Sequence, residues 1–139
     1  MTDMDATTTP LSLEWWERFR AAWNEQAETR ERLAGAGALL FEVEGDPERR
    51  VLADLDEHGW MTVSPAREAA HPDTPTFTAS EKGWLRFLGG ELGAVQAVIG
   101  GTLRYQGPIA FVMRNRTSFD ALAEVAARMN ETTPTAARP

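Results

Sequence analysis

The side chains best suited to chemistry are Asp54, Asp56, Glu57 and His58, where carboxylates stand beside an imidazole as a general base requires. Their spacing supports a plainer reading as well. Asp54 and Asp56 are two residues apart and share the polar face of a strand, while Glu57-His58-Gly59 has the composition of a turn. The second histidine, His71, lies between Ala70 and Pro72 in a proline-rich run. Two imidazoles and no cysteine exclude a multi-histidine metal centre, thiolate ligation, a disulfide scaffold and a cysteine nucleophile. Ser12, Ser64, Ser80 and Ser118 have no nucleophile elbow around them, and three of them (Ser12, Ser80 and Ser118) stand where a helix would begin. The paired glycines form neither a GxGxxG fingerprint nor a Walker loop, so nothing cradles a nucleotide phosphate in the manner of those folds.

The elements that must position these residues belong to one domain. The chain has 139 residues, 42% hydrophobic and 25% charged, enough for a single globular core. Residues 1–10 and 131–139 offer little to bury and read as disordered tails around a domain at 11–130. The net charge of −7 has the wrong sign for a nucleic-acid partner. It is uneven: residues 1–77 carry sixteen acidic and seven basic side chains, residues 78–139 five and seven. No apolar run approaches the roughly 20 residues of a membrane span. The first ten residues lack the pattern of a signal peptide, which predicts a cytoplasmic location without integral membrane association.

From Ser12 to about Leu33, Trp16, Phe19, Trp23 and Ala27 form one stripe of an amphipathic helix, closed by Gly35 and Gly37. Alternation then predicts strands around Leu39–Glu44, Val51–Asp56 and Trp60–Ser64, joined by Gly45-Asp46-Pro47 and Glu57-His58-Gly59 as an antiparallel meander. Residues 65–75 hold three prolines and read as a loop, followed by a short strand at Thr76–Thr78. Ser80 caps a short helix carrying Trp84, Phe87 and Leu88, and Gly89-Gly90 ends it. A second short helix puts Leu92, Val95, Val98 and Ile99 on one side. A strand through Leu103 and Tyr105 follows. Pro108 then opens a helix through Ile109, Phe111, Val112 and Met113, and Phe119, Leu122, Ala126 and Met129 continue at helical spacing. The order predicts an α+β domain with one mainly antiparallel sheet.

Twelve aromatic residues, five of them tryptophan, give apolar bulk in excess of what such short elements need. The surplus fits either a filled core or short helices enclosing an apolar cavity.

The run Thr76-Phe77-Thr78-Ala79-Ser80-Glu81, then Trp84, Gly89-Gly90, Ala97 and Gly101-Thr102-Leu103-Arg104-Tyr105-Gln106-Gly107, resembles the sterol carrier protein type 2 (sterol-binding) family. The stretches Phe41–Gly45 and Val51–Leu55 are similar to its opening hairpin, so the resemblance covers about residues 36–130. Thr102 stands where the family usually has lysine, and Pro108 where a polar residue is common. The resemblance implies a five-stranded sheet covered on one face by helices and an apolar tunnel for a fatty acid, acyl-CoA, sterol or similar lipid. It implies no cofactor, no metal and no catalytic residues. Tunnel-lining positions of the family fall here on Trp84, Phe87, Leu88, Val95, Val98, Ile99, Phe111 and Met113, and a lipid bound there is expected to hold its polar head near Arg104, Arg114 or Arg116. The alternative is a non-catalytic dimerisation or accessory module for a partner enzyme, compatible with a homodimer and anchored by exposed tryptophans. A third reading is an enzyme using His58 with Asp54 or Asp56.

Overall fold

The computed structural model describes residues 9–66, 73–115 and 118–137, with side chains described to Met129. In chain order the elements are α1 (Leu13–Asn24), α2 (Ala27–Arg32), β1 (Gly37–Val43), β2 (Asp46–Leu55), β3 (Met61–Pro65), β4 (Thr76–Ala79), α3 (Glu81–Leu88), α4 (Ala94–Ile99), β5 (Arg104–Gln106), α5 (Ile109–Asn115) and α6 (Asp120–Ala137). The five strands form one sheet in the order β3-β2-β1-β4-β5.

The expected meander β1-β2-β3 is present and antiparallel. A two-residue turn joins β1 to β2, with Val43 paired to Asp46 and Gly45 at φ +80°, a conformation that costs glycine nothing. The register shifts between Glu42 and Val43, so Pro47, Glu48 and Arg49 bulge out of the ladder. That bulge accommodates a proline that lacks a ladder donor. β4 pairs with β1 in parallel and with β5 antiparallel, which makes the sheet mixed though mostly antiparallel.

One face of the sheet builds the core. Val51, Phe41, Phe77 and Tyr105 are register partners across β2, β1, β4 and β5, and their side chains form a row beneath the helices. Trp16 of α1 stacks on Phe41 at 4.8 Å between ring centroids, Trp84 of α3 meets Phe41 edge-on at 5.7 Å, and Phe119 meets Phe77 at 4.6 Å. Removing one such ring to alanine costs about 3–5 kcal/mol. The opposite face of the sheet is largely polar, although Leu40 and Thr76 there are buried too.

Helix boundaries follow their caps. Ser12 Oγ accepts from Trp15 N–H, and Ser80 Oγ accepts from Gly83 N–H. The single helix expected from Ser12 to Leu33 is two helices, and Ala27 lies exposed instead of continuing the buried stripe of Trp16, Phe19 and Trp23. The break comes after Asn24, whose side-chain amide exchanges two hydrogen bonds with the backbone of Met61: Nδ2 donates to the carbonyl and Oδ1 accepts from the N–H. Trp23 Nε1 donates to Gly59 O at 2.8 Å, anchoring the same helix end to the β2–β3 turn.

α4 also departs from its expected stripe. Ala94 and Ala97 are its buried residues, Leu92 and Val98 pack only partly, and Ile99 is 81% exposed. The side of the helix that packs on the body is thus the one that carries its two alanines, and the branched residues lie beside it or outward. On α5, Phe111 is buried but Ile109 and Met113 are 69% and 60% exposed. α6 stays helical through 131–137, the segment expected as a tail. Residues 1–8 of the other expected tail, His71 and Arg116 lie outside the described residues.

Candidate functional site

The residues singled out for catalysis do not assemble. Asp56 Oδ1 accepts the backbone N–H groups of both His58 and Trp60 at 2.9 Å, so its carboxylate holds the β2–β3 turn in shape. His58 is 74% exposed in its side chain and its neighbouring carboxylate is Glu57 at 3.9 Å. Asp54, paired in register with Ala38 and Thr62, is exposed on the strand. Among the described residues, no group of three or more acidic or imidazole side chains is placed to hold a metal.

The eight apolar positions separate into layers. Trp84, Phe87 and Leu88 are in the core between α3 and the sheet, and Trp84 Nε1 donates to Glu42 O at 2.7 Å where the β1 register shifts. Phe111 is buried against Phe119 at 5.8 Å. Val95 and Val98 are half-buried, and Ile99 and Met113 face outward. These positions therefore run from the interior to the surface on helices that are six to eight residues long. Several contacts join α4 and α5 to the body, among them those of buried Ala94, Ala97 and Phe111. Another is a carboxylate cap, in which Ala94 N–H at the start of α4 donates to Asp120 Oδ1 at 2.9 Å.

The tryptophans offer little as interaction anchors. Trp16, Trp23 and Trp84 are buried, Trp15 packs on the core, and half-exposed Trp60 carries the Arg30 guanidinium 3.8 Å above its ring.

A polar site lies on the opposite side of the sheet. Arg50, Glu42, Thr78 and Arg104 are successive register partners across β2, β1, β4 and β5. Arg50 Nε lies 2.9 Å from Glu42 Oε2, Thr78 Oγ1 donates to Glu42 Oε1 at 2.8 Å, and Arg104 reaches Glu44 Oε2 at 2.7 Å. Two grooves flank Arg104. One, of about 340 Å³, lies between β4, the start of α3 and the loop before β5, and includes Lys82, Gly83, Arg86 and Thr102. The other, of about 330 Å³, follows the β1–β2 turn past Asp46 and Arg50. Both are open surface grooves with charged residues in their lining, the first of them mainly polar, and they differ from the enclosed apolar cavity that the resemblance implies.

Of these groove residues only Arg104 is legible as a site residue in the sequence. Lys82 and Arg86 carry one signal, their four-residue spacing on the polar face of a helix.

Beside the second groove, Arg49 pairs with Asp46 at 2.8 Å and Glu81 at 2.9 Å and donates to Pro10 O. Partial burial disfavours its charge, but the bonds to Asp46 and Glu81 outweigh that and raise its pKa above the ordinary value. Arg49 in turn holds the Asp46 carboxyl below the usual carboxylate range. Burial pushes the Tyr105 phenol above its ordinary value. Its hydroxyl donates to Pro108 O at 2.6 Å across the turn into α5.

No helix among the described residues is long and apolar enough to cross a membrane. Comparison with curated proteins finds no match. Solved structures share the fold. A crystal structure of sterol carrier protein 2 aligns at TM-score 0.71 and 23% identity, over 85% of this chain and 97% of that one. The solution structure of a conserved hypothetical protein from Thermus thermophilus aligns at 0.72 and 22%, over 87% and 90%. Apo sterol carrier protein 2 from Yarrowia lipolytica aligns at 0.52 and 17%, over 80% and 88%. The model of the SCP-2 sterol transfer family matches residues 17–120, from within α1 to the start of α6. With that match spanning most of the chain, and the mixed five-stranded sheet under its helices agreeing with it, the protein belongs to the SCP-2 sterol transfer family.

Proposed function

We propose that the protein binds a lipid-like hydrophobic molecule, such as a fatty acid, acyl-CoA or sterol, against the short helices α4 and α5, and that it does so without catalysis. Family membership supports lipid binding or transfer in general. The observation that supports the placement is the exposure of Ile99, Ile109 and Met113 on the two short helices. Covering such side chains with hydrocarbon yields about 25 cal/mol for each Å² removed from water. In this reading the half-buried Val95 and Val98 and the buried Phe111 extend the ligand's contact inward. Trp84, Phe87 and Leu88 then form the floor, reached by the ligand when α4 and α5 move away from the core.

The non-catalytic part of the reading is supported by the use of Asp56 as a turn cap and by the exposure of His58 and Glu57 on the surface. Extraction of the purified protein followed by mass spectrometry tests the proposal, with a stoichiometric lipid as the supporting result. A dimer that persists on dilution, with no lipid present and with Ile109 and Met113 protected from solvent, would instead favour the interaction-module reading.

A further inference from the structure

The groove between β4, α3 and the loop before β5 has a charge opposite to that of the whole molecule. The chain carries −7, yet Lys82, Arg86 and Arg104 line this groove against a single carboxylate, Glu44. Glu44 pairs with Arg104 at 2.7 Å, both side chains being half-exposed, so the three cations against this one carboxylate leave the lining with an excess of positive charge. Arg86 reaches Glu91 at 3.5 Å, a long and exposed pairing that holds little of its charge. Lys82 has no hydrogen-bond or ion-pair partner among the described residues.

The backbone explains how three cations come together. Positions 82 and 86 share a helix face. Gly83 between them packs so closely on the next loop that a Cβ there would lie 3.2 Å from both the methyl and the carbonyl oxygen of Thr102. This close approach sets two cations of α3 beside the cation of β5. A volume of about 340 Å³ is at the small end of ligand pockets, and the polar lining suits a charged group more than a hydrocarbon.

We propose that this groove binds a phosphate group through Lys82, Arg86 and Arg104. The two guanidinium groups offer paired N–H donors that match phosphate oxygens, and the ammonium adds a compact point charge. The same chemistry serves inorganic phosphate or the phosphate of an amphiphile. The inference stands apart from the lipid reading because a phosphate needs no apolar surface to occupy the groove.

Amide NMR of the full chain, titrated separately with inorganic phosphate, decyl phosphate and decanol, tests it. The expected result is saturable shifts at the Gly83, Gly101 and Thr102 amides with the two phosphates. Lys82→Gln/Arg86→Gln should weaken that binding about tenfold or more, and Arg20→Gln, which removes a charge from α1, should change it by less than about twofold. Decyl phosphate binding about tenfold tighter than inorganic phosphate supports the site and identifies a lipid head group. Equal affinity supports it and identifies free phosphate. Shifts that fail to saturate, that decanol reproduces, or that Arg20→Gln reduces as much as the groove variant does would overturn the proposal. Fatty-acid binding in the absence of any phosphate response would overturn it too, and would leave the lipid reading standing.

Discussion

Glu42 and Thr78 face each other across the parallel β1–β4 pair, and the Thr78 hydroxyl donates to Glu42 Oε1 at 2.8 Å while Arg50 approaches the other carboxylate oxygen. One carboxylate thus links three strands on the polar face, on the row that ends at Arg104 beside the grooves. Position along this row is set by the register: a slip of one residue would turn Glu42 and Thr78 into the aromatic core.

The first prediction concerns that link. Thr78→Val keeps the shape of the side chain and removes the donor, so it should cost about 0.5–1.5 kcal/mol, and Glu42→Leu, which removes the acceptor and the Arg50 pairing with it, should cost at least as much. The double variant should cost less than the two combined, because the residues share one interaction. Urea denaturation of the four proteins checks this, and strict additivity would contradict the coupling.

Gly59 supplies the second prediction. Its φ is +83°, and a Cβ there would lie 2.0 Å from the carbonyl oxygen of Arg30, inside any permitted contact. Its own carbonyl accepts the Trp23 indole N–H. Gly59→Ala must therefore move the β2–β3 turn away from α2 and α1, and a loss of more than about 2 kcal/mol is expected by thermal or chemical denaturation. A variant within experimental error of the parent would show that the turn does not pack there.

Acid behaviour gives a third. Arg49 lowers the folded-state pKa of Asp46, so the pair contributes stability that is complete above the unfolded carboxylate value, about pH 4, and is lost as pH falls through the lowered folded value. Asp46→Asn should melt below the parent at about pH 7, and the gap should close by about pH 2. A gap that persists unchanged in acid would assign the effect to packing rather than to charge.

Much of the fold was legible from local pattern. The meander, the Ser12 and Ser80 caps and the buried stripe of Trp16, Phe19 and Trp23 all rest on periodicity or on a cap a few residues from its target. What escaped depends on partners distant in sequence. The break after Asn24 reflects an amide satisfied by Met61, 37 positions away, and the parallel β1–β4 pairing follows from a crossover that strand alternation does not encode. The buried face of α4 carries Ala94 and Ala97, so the apolar stripe of Leu92, Val95, Val98 and Ile99 does not mark the side that packs on the body. The polar groove draws Glu44, Lys82 and Arg104 from a turn, a helix and a strand, and no spacing in the chain announces their meeting.

The most direct test of lipid binding is a fluorescence titration of the protein with a fluorescent fatty acid, run beside Ile99→Glu/Met113→Glu. Both side chains are mostly exposed, so each substitution should change stability by no more than about 0.5 kcal/mol. The proposed lipid site entails saturable one-to-one uptake by the parent and a loss of about tenfold or more in the double variant at an unchanged melting temperature. Absence of saturable uptake by the parent, or equal affinity in the two proteins, would contradict it.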